Sequence, residues 1–208
     1  MTMKEWFVRC PLIAILRGVC PDEVVAVCAA LERAGVAIVE VPLNSPEPLV
    51  SIGKLAETFG DRLLIGAGTV MTPDMVREVA AVGGKLLVTP HADPELVRVG
   101  KGLGMMAAPG FFTPAEAFSL LRAGADCIKL FPAEGSNPAA LKGMRAILPP
   151  GTLVVPVGGV SVENIATWTE AGAAGFGIGS SIYKPGDTPE IVEKKARALV
   201  AAVKALRV

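Results

Sequence analysis

The chain has 208 residues with 20 basic against 20 acidic side chains, so it carries no formal net charge and offers no basic run for a nucleic-acid backbone. Apolar residues make up 51% and charged ones 19%, a balance that suits strands buried on both faces and a subunit interface. The first residues lack the basic region and long apolar run of a signal peptide, and no apolar run approaches a membrane span, so the expectation is a cytoplasmic protein with no membrane partner.

A short helix over 2–9 precedes the first apolar run, 12–16, which ends at Arg17-Gly18. Pro21-Asp22-Glu23 then opens a helix whose acidic first turn meets the positive end of the helix dipole, and apolar spacing continues through Val24, Val27, Cys28 and Leu31. Ala34-Gly35 ends it, and the β-branched run 37–41 follows, carrying Glu40 and ending in Pro42-Leu43-Asn44-Ser45-Pro46. The alternation continues with helix 48–58, strand 63–67 before Gly68-Thr69, helix 74–82, strand 86–89 before Pro90-His91, and a helix opened by Asp93-Pro94. Strand 105–108 leads through Pro109-Gly110 to helix 114–122, the run 126–132 places Lys129 inside a strand, and a helix is expected near 138–148. Strand 153–157 ends in Gly158-Gly159, helix 161–171 at Gly172, strand 176–178 in Gly179-Ser180-Ser181, and helix 189–206 finishes the series.

The helix ends Arg33-Ala34-Gly35, Ala81-Val82-Gly83, Arg122-Ala123-Gly124 and Glu170-Ala171-Gly172 each stand before an apolar run, which marks a repeated supersecondary unit. Eight strand and helix units predict a parallel sheet closed into a (β/α)8 barrel (a TIM barrel), one domain over 1–208 with a short N-terminal helix. The rival architecture, an open doubly wound sheet, would want a Gly-x-Gly-x-x-Gly after the first strand, and the sequence has none.

In such barrels the working residues lie at the carboxyl ends of the strands. Arg17, Glu40, Thr69, Lys129, Gly158-Gly159 and Gly179-Ser180 fall there, whereas Lys85 begins its strand and reads as a solvated residue at the barrel bottom. Side chains alternate along a strand, so apolar Val39, Val41, Ile128 and Leu130 suit the helix-facing side and turn Glu40 and Lys129 inward. An ammonium group is strongly hydrated, and burial pushes it toward the free amine that attacks carbonyls. Lys129 therefore reads as an imine-forming nucleophile. The competing reading is a buried ion pair that stabilises the barrel, but such pairs are poor stabilisers and perturbed ionisable groups gather at active sites.

The turns after the last two strands, Val157-Gly158-Gly159-Val160-Ser161 and Gly177-Ile178-Gly179-Ser180-Ser181, offer bare backbone amides near helix starts, a cradle for phosphate. With His91 the only histidine, no His-rich zinc site can be built, and no Walker loop, nucleophile elbow or dinucleotide fingerprint occurs, so no metal or cofactor is expected. Cys10, Cys20, Cys28 and Cys127 form no Cys-x-x-Cys pair and read as reduced structural thiols in apolar surroundings. A lysine, a carboxylate and an anion site suit imine chemistry on a phosphorylated keto compound.

Five segments carry a family resemblance: Pro11-Leu12-Ile13-Ala14-Ile15-Leu16-Arg17-Gly18, Val39-Glu40-Val41-Pro42-Leu43-Asn44-Ser45-Pro46, Gly66-Ala67-Gly68-Thr69-Val70, Ile128-Lys129-Leu130-Phe131-Pro132-Ala133 and Val157-Gly158-Gly159-Val160. In order and over almost the whole length, the chain resembles the 2-keto-3-deoxy-6-phosphogluconate and 6-phosphogalactonate aldolases. The resemblance implies a class I aldolase, a carbon–carbon lyase, that releases pyruvate and D-glyceraldehyde 3-phosphate from a phosphorylated keto acid. It implies Lys129 as the imine lysine and Glu40 as the acid and base. It also implies Arg17 and Thr69 at the substrate carboxylate, Pro90 and Phe131 around pyruvate, and Gly158, Gly159, Gly179 and Ser180 at the phosphate. A homotrimer without cofactor is implied as well.

Pro42-Leu43-Asn44-Ser45-Pro46 and Val157 are similar to the galactonate branch, which brings Asn44 and Val157 among the substrate contacts, while Leu130-Phe131-Pro132-Ala133-Glu134 leans toward the gluconate branch. The expected substrate is the galactonate epimer, with the gluconate epimer or dual specificity as the alternative. A phosphosugar isomerase working without an imine and a non-catalytic sugar-phosphate sensor are the remaining rivals.

Overall fold

Five of the helices start with one device, a capping side chain followed by proline. Thr72, Asp93, Thr113, Asn137 and Thr188 each accept a hydrogen bond from an amide of the first turn, and the proline after each supplies a preset φ where no amide partner is needed. The computed structural model describes residues 1–206, so Arg207 and Val208 of the expected domain lie outside the described residues. Its helices are α1 (Met3–Arg9), α2 (Val24–Ala34), α3 (Pro48–Phe59), α4 (Pro73–Ala81), α5 (Pro94–Gly102), α6 (Pro114–Arg122), α7 (Pro138–Arg145), α8 (Ile165–Glu170) and α9 (Pro189–Ala205). None of these is long and apolar enough to cross a membrane.

The strands are β1 (Leu12–Ile15), β2 (Ile38–Pro42), β3 (Leu64–Gly68), β4 (Leu86–Val88), β5 (Met106–Ala108), β6 (Gly110–Phe111), β7 (Ile128–Leu130), β8 (Val154–Pro156) and β9 (Phe176–Ile178). All pairings are parallel and form two arcs, β5-β4-β3-β2-β1-β9 and β6-β7-β8. Two seams close the ring. The Val157 to Gly177 bridge joins β8 to β9, and β5 and β6 are one strand interrupted at Pro109. The eight expected strands are therefore present as nine pieces, because proline has no amide to give the ladder. Its carbonyl still accepts from the Lys129 amide at 2.8 Å, so Gly110 and Phe111 stay extended instead of forming the turn that Pro109-Gly110 suggests.

Both faces of the sheet are buried, with every residue of β1, β2 and β3 in the core. Fully burying a Leu or Ile contributes about 1.5–3 kcal/mol, so Leu12, Ile38, Leu86 and Leu87 anchor strands under helices. Helix α1 presents Met3, Trp6 and Phe7 to the amino-terminal end, the end where Lys85 stands exposed as expected.

Three boundaries shift for local reasons. Residues 21–23 form a turn in which the Glu23 carboxylate accepts from the Cys20 amide at 3.0 Å, so α2 begins at Val24. The amides of Ala146 and Ile147 bond three residues back, so α7 stops at Arg145 rather than near 148. Helix α8 begins at Ile165 rather than 161, because Asn164 is used to hold the preceding turn. Cys10, Cys28 and Cys127 are buried, whereas Cys20 is exposed, contrary to its apolar sequence neighbourhood.

Candidate active site

Glu40 on β2 and Lys129 on β7 stand across the barrel, buried with 2% and 6% of their surface exposed. Register places Ile15, Glu40 and Gly66 side by side on β1, β2 and β3, and Gly110, Lys129 and Val155 on β6, β7 and β8. Room for Glu40 comes from Gly68, where an added Cβ would collide with the carboxylate. Gly110, the register partner of Lys129, allows close approach of the backbone after β4, since a Cβ there would fall 2.6 Å from the Pro90 carbonyl carbon.

Among the described residues Lys129 forms no ion pair, and Glu40 Oε2 meets no hydrogen-bond partner. Burial raises the Glu40 carboxyl to about 7, partly offset by the positive charges of Lys129 and Arg17. Burial likewise depresses the basicity of Lys129, opposed by the Glu40 charge and aided by Arg17. The Lys129 Nζ lies 4.3 Å from the centroid of the Phe131 ring, which limits its approach to water on that side.

Thr69 follows β3 with φ of +56°, a left-handed backbone that a β-branched residue adopts only under constraint. Pro90 is set by Thr89, whose hydroxyl donates to the His91 carbonyl at 2.6 Å and accepts from the Gly110 amide at 3.1 Å. His91 itself is an exposed loop residue.

A cavity of about 160 Å³ opens at the carboxyl ends of β1, β8 and β9, bounded by Ile15, Arg17, Phe131, Val157 and the two glycine turns. Ile15 is the register partner of Glu40 and the Phe131 ring lies against Lys129 Nζ, so the cavity wall adjoins the buried pair. In the turns, the amides of Gly159, Gly179, Ser180 and Ser181 donate to no protein acceptor among the described residues. Gly158 and Gly159 hold φ of +110° and +64°, the left-handed region that lets amides point into the cavity. Asn164 fixes that turn, donating to the Gly159 carbonyl at 2.7 Å and accepting from the Ser161 amide at 3.0 Å.

The model of the family described as "KDPG and KHG aldolase" matches residues 3–196. The chain belongs to the KDPG and KHG aldolase family. It is 45% identical over 203 residues to the 2-dehydro-3-deoxy-6-phosphogalactonate aldolase of Escherichia coli K12, covering 98% of each chain. It is 43% identical over 196 residues to a probable aldolase of the same name from Rhizobium meliloti, covering 94% of this chain and 92% of that one. A solved structure described as native KDPGal superposes with a TM-score of 0.93 at 44% identity, covering 94% of this chain and 95% of that one. The aldolase class and the barrel expected from the sequence both stand.

Of the expected site residues of this aldolase, Arg17, Phe131, Val157, Gly158, Gly159, Gly179 and Ser180 meet at one cavity. Thr69 and Pro90 do not line that cavity and follow β3 and β4. Asn44 reaches the cavity through Arg17, whose Nη1 donates to Asn44 Oδ1 at 2.8 Å. Sequence reasoning missed Thr89, Glu134 and Asn164. For Asn164 a signal existed, an Asn three residues after the serine that ends a glycine turn.

Proposed function

We propose that this aldolase is a class I enzyme that cleaves 2-dehydro-3-deoxy-6-phosphogalactonate to pyruvate and D-glyceraldehyde 3-phosphate through an imine on Lys129. The observation that carries the reading is a buried lysine of depressed basicity, in no ion pair among the described residues, opposite a carboxyl raised to about 7.

The free amine of Lys129 attacks the C2 ketone, and Glu40 passes protons to the carbinolamine oxygen so that water leaves and the protonated imine forms. Glu40, as carboxylate, then takes the C4 hydroxyl proton through a water. The C4 oxygen becomes the aldehyde as the C3–C4 electron pair moves into the imine. Protonation of the resulting enamine at C3 and hydrolysis of the imine release pyruvate and restore the amine. Arg17 and Thr69 suit the substrate carboxylate, Pro90 and Phe131 the pyruvate methylene, and the unpaired amides of the two turns the phosphate.

Two relatives named for the galactonate epimer, at 45% and 43% identity, support that substrate. Val157 supports it too, since it offers the C4 region a methyl group where a hydroxyl could favour the other epimer. The gluconate epimer is the second reading, suggested by the segment Leu130-Phe131-Pro132-Ala133-Glu134. No cofactor enters the scheme. A cytoplasmic homotrimer fits the exposed apolar groove around Leu43, Leu49, Val50 and Met75, with Val50 47% exposed.

Pyruvate release from the two C4 epimers tests the substrate. The galactonate epimer is expected to give the larger kcat/KM, by about tenfold or more. An equal or reversed ratio would transfer the assignment to the gluconate epimer or to dual specificity.

A further inference from the structure

One carboxylate sits where an anion is expected to bind. Glu134 belongs to a short 3-10 turn, Ala133–Gly135, that leaves β7 and folds back over the glycine turn after β8. A Cβ on Gly158 would collide with Glu134 Oε2, and one on Gly159 would fall 2.8 Å from Glu134 Cγ, so the side chain lies directly on that turn. The nearest fixed cation of the cavity, Arg17, is engaged by Asn44. Among the described residues no hydrogen bond or ion pair holds the Glu134 carboxylate in place.

Glu134 is also a shared wall. On one side is the cavity of about 160 Å³ with the unpaired amides, and on the other an outer cavity of about 290 Å³ that reaches Ser136, Asn137, Asn164 and Trp168. An exposed side chain with open space behind it can swing outward without breaking a hydrogen bond or ion pair among the described residues.

We infer that Glu134 is a specificity-determining residue, a tethered anion that the substrate's phosphate must displace from the Gly158-Gly159 turn. The inference rests on reading that turn as the phosphate site. A carboxylate against a phosphate dianion is repulsive at any separation the cavity allows, and the cost grows with the charge of the incoming group. Glu134 therefore weakens phosphate binding and speeds the loss of the phosphorylated product, while pyruvate, which binds at Lys129, does not feel it.

The test is competitive inhibition of cleavage by inorganic phosphate, measured for the wild-type protein, Glu134→Gln and Glu134→Asp. Glu134→Gln is expected to lower the phosphate Ki and the KM of the phosphorylated substrate about 3- to 10-fold with kcat changed less than about twofold, and the gap should shrink in high salt. Glu134→Asp keeps the charge and should stay within about twofold of wild type. Trapping of pyruvate on Lys129 by borohydride should be equal in all three and reports an intact site. A phosphate Ki that is unchanged or higher in Glu134→Gln would overturn the inference. Failure of phosphate to compete in any of the three proteins would overturn the phosphate reading of the turn and the inference with it.

Discussion

Glu40 and Lys129 face one barrel interior from opposite sides, both buried, and form no ion pair. A paired arrangement would hold the amine protonated and the carboxyl ionised. The observed one raises the carboxyl to about 7, so it can exchange a proton near neutrality, and burial lowers the basicity of the amine, which enlarges the fraction of free amine.

That relationship sets the pH profile. If Glu40 takes the C4 hydroxyl proton, kcat/KM should rise with pH through about 7 as the carboxyl ionises. Glu40→Gln is expected to lower kcat by about 10²–10⁴-fold and to remove that limb. The check is kcat/KM of both proteins measured from pH 5 to pH 9, about two units either side of the Glu40 value. A Gln variant with an unchanged limb would take Glu40 out of the chemistry.

The same carboxyl costs stability. Between its ordinary value of 4.5 and about 7 the folded state holds a proton that the unfolded chain releases, so folding stability falls as pH rises through that window. Fully ionised, the group costs up to about 3 kcal/mol. Lys129 acts in the opposite direction, its cost easing as pH rises toward 10.5. The stability of Glu40→Gln relative to wild type should therefore grow between pH 4.5 and 7, which urea titrations at several pH values would measure.

Gly68→Ala tests the room left for Glu40. The added methyl would occupy the carboxylate position, so kcat/KM should fall about 10²-fold while the barrel stays folded by circular dichroism. Wild-type activity would mean that Glu40 works from a different position.

Asn44→Ala tests the hold on Arg17. Loss of the 2.8 Å hydrogen bond frees an exposed guanidinium, and the expected result is a KM about 3- to 10-fold higher with little change in kcat. An equal loss in kcat would place Asn44 at the reacting atoms instead.

Much of this could be read before folding. Alternating apolar runs and helices opened by Thr-Pro, Asp-Pro or Asn-Pro show the barrel because capping chemistry is local. Lys129 and Glu40 stand out because an ionisable residue inside an apolar strand run is visible in one dimension. What was hidden depends on residues brought together by closure of the ring. Arg17 and Asn44 are 27 positions apart, and only the fold shows that the Asn44 carboxamide accepts a hydrogen bond from the arginine. Pro109-Gly110 carries turn chemistry, yet pairing with β7 keeps Gly110 and Phe111 extended. Glu134 read as an incidental branch marker, because only the fold lays it over Gly158.

The most direct test is borohydride reduction in the presence of pyruvate, followed by intact mass and peptide mapping. An adduct of one reduced pyruvate per chain, located on Lys129 and absent from Lys129→Ala, is the predicted result. An unchanged mass in folded protein, or an adduct on a different lysine, would contradict the imine at Lys129.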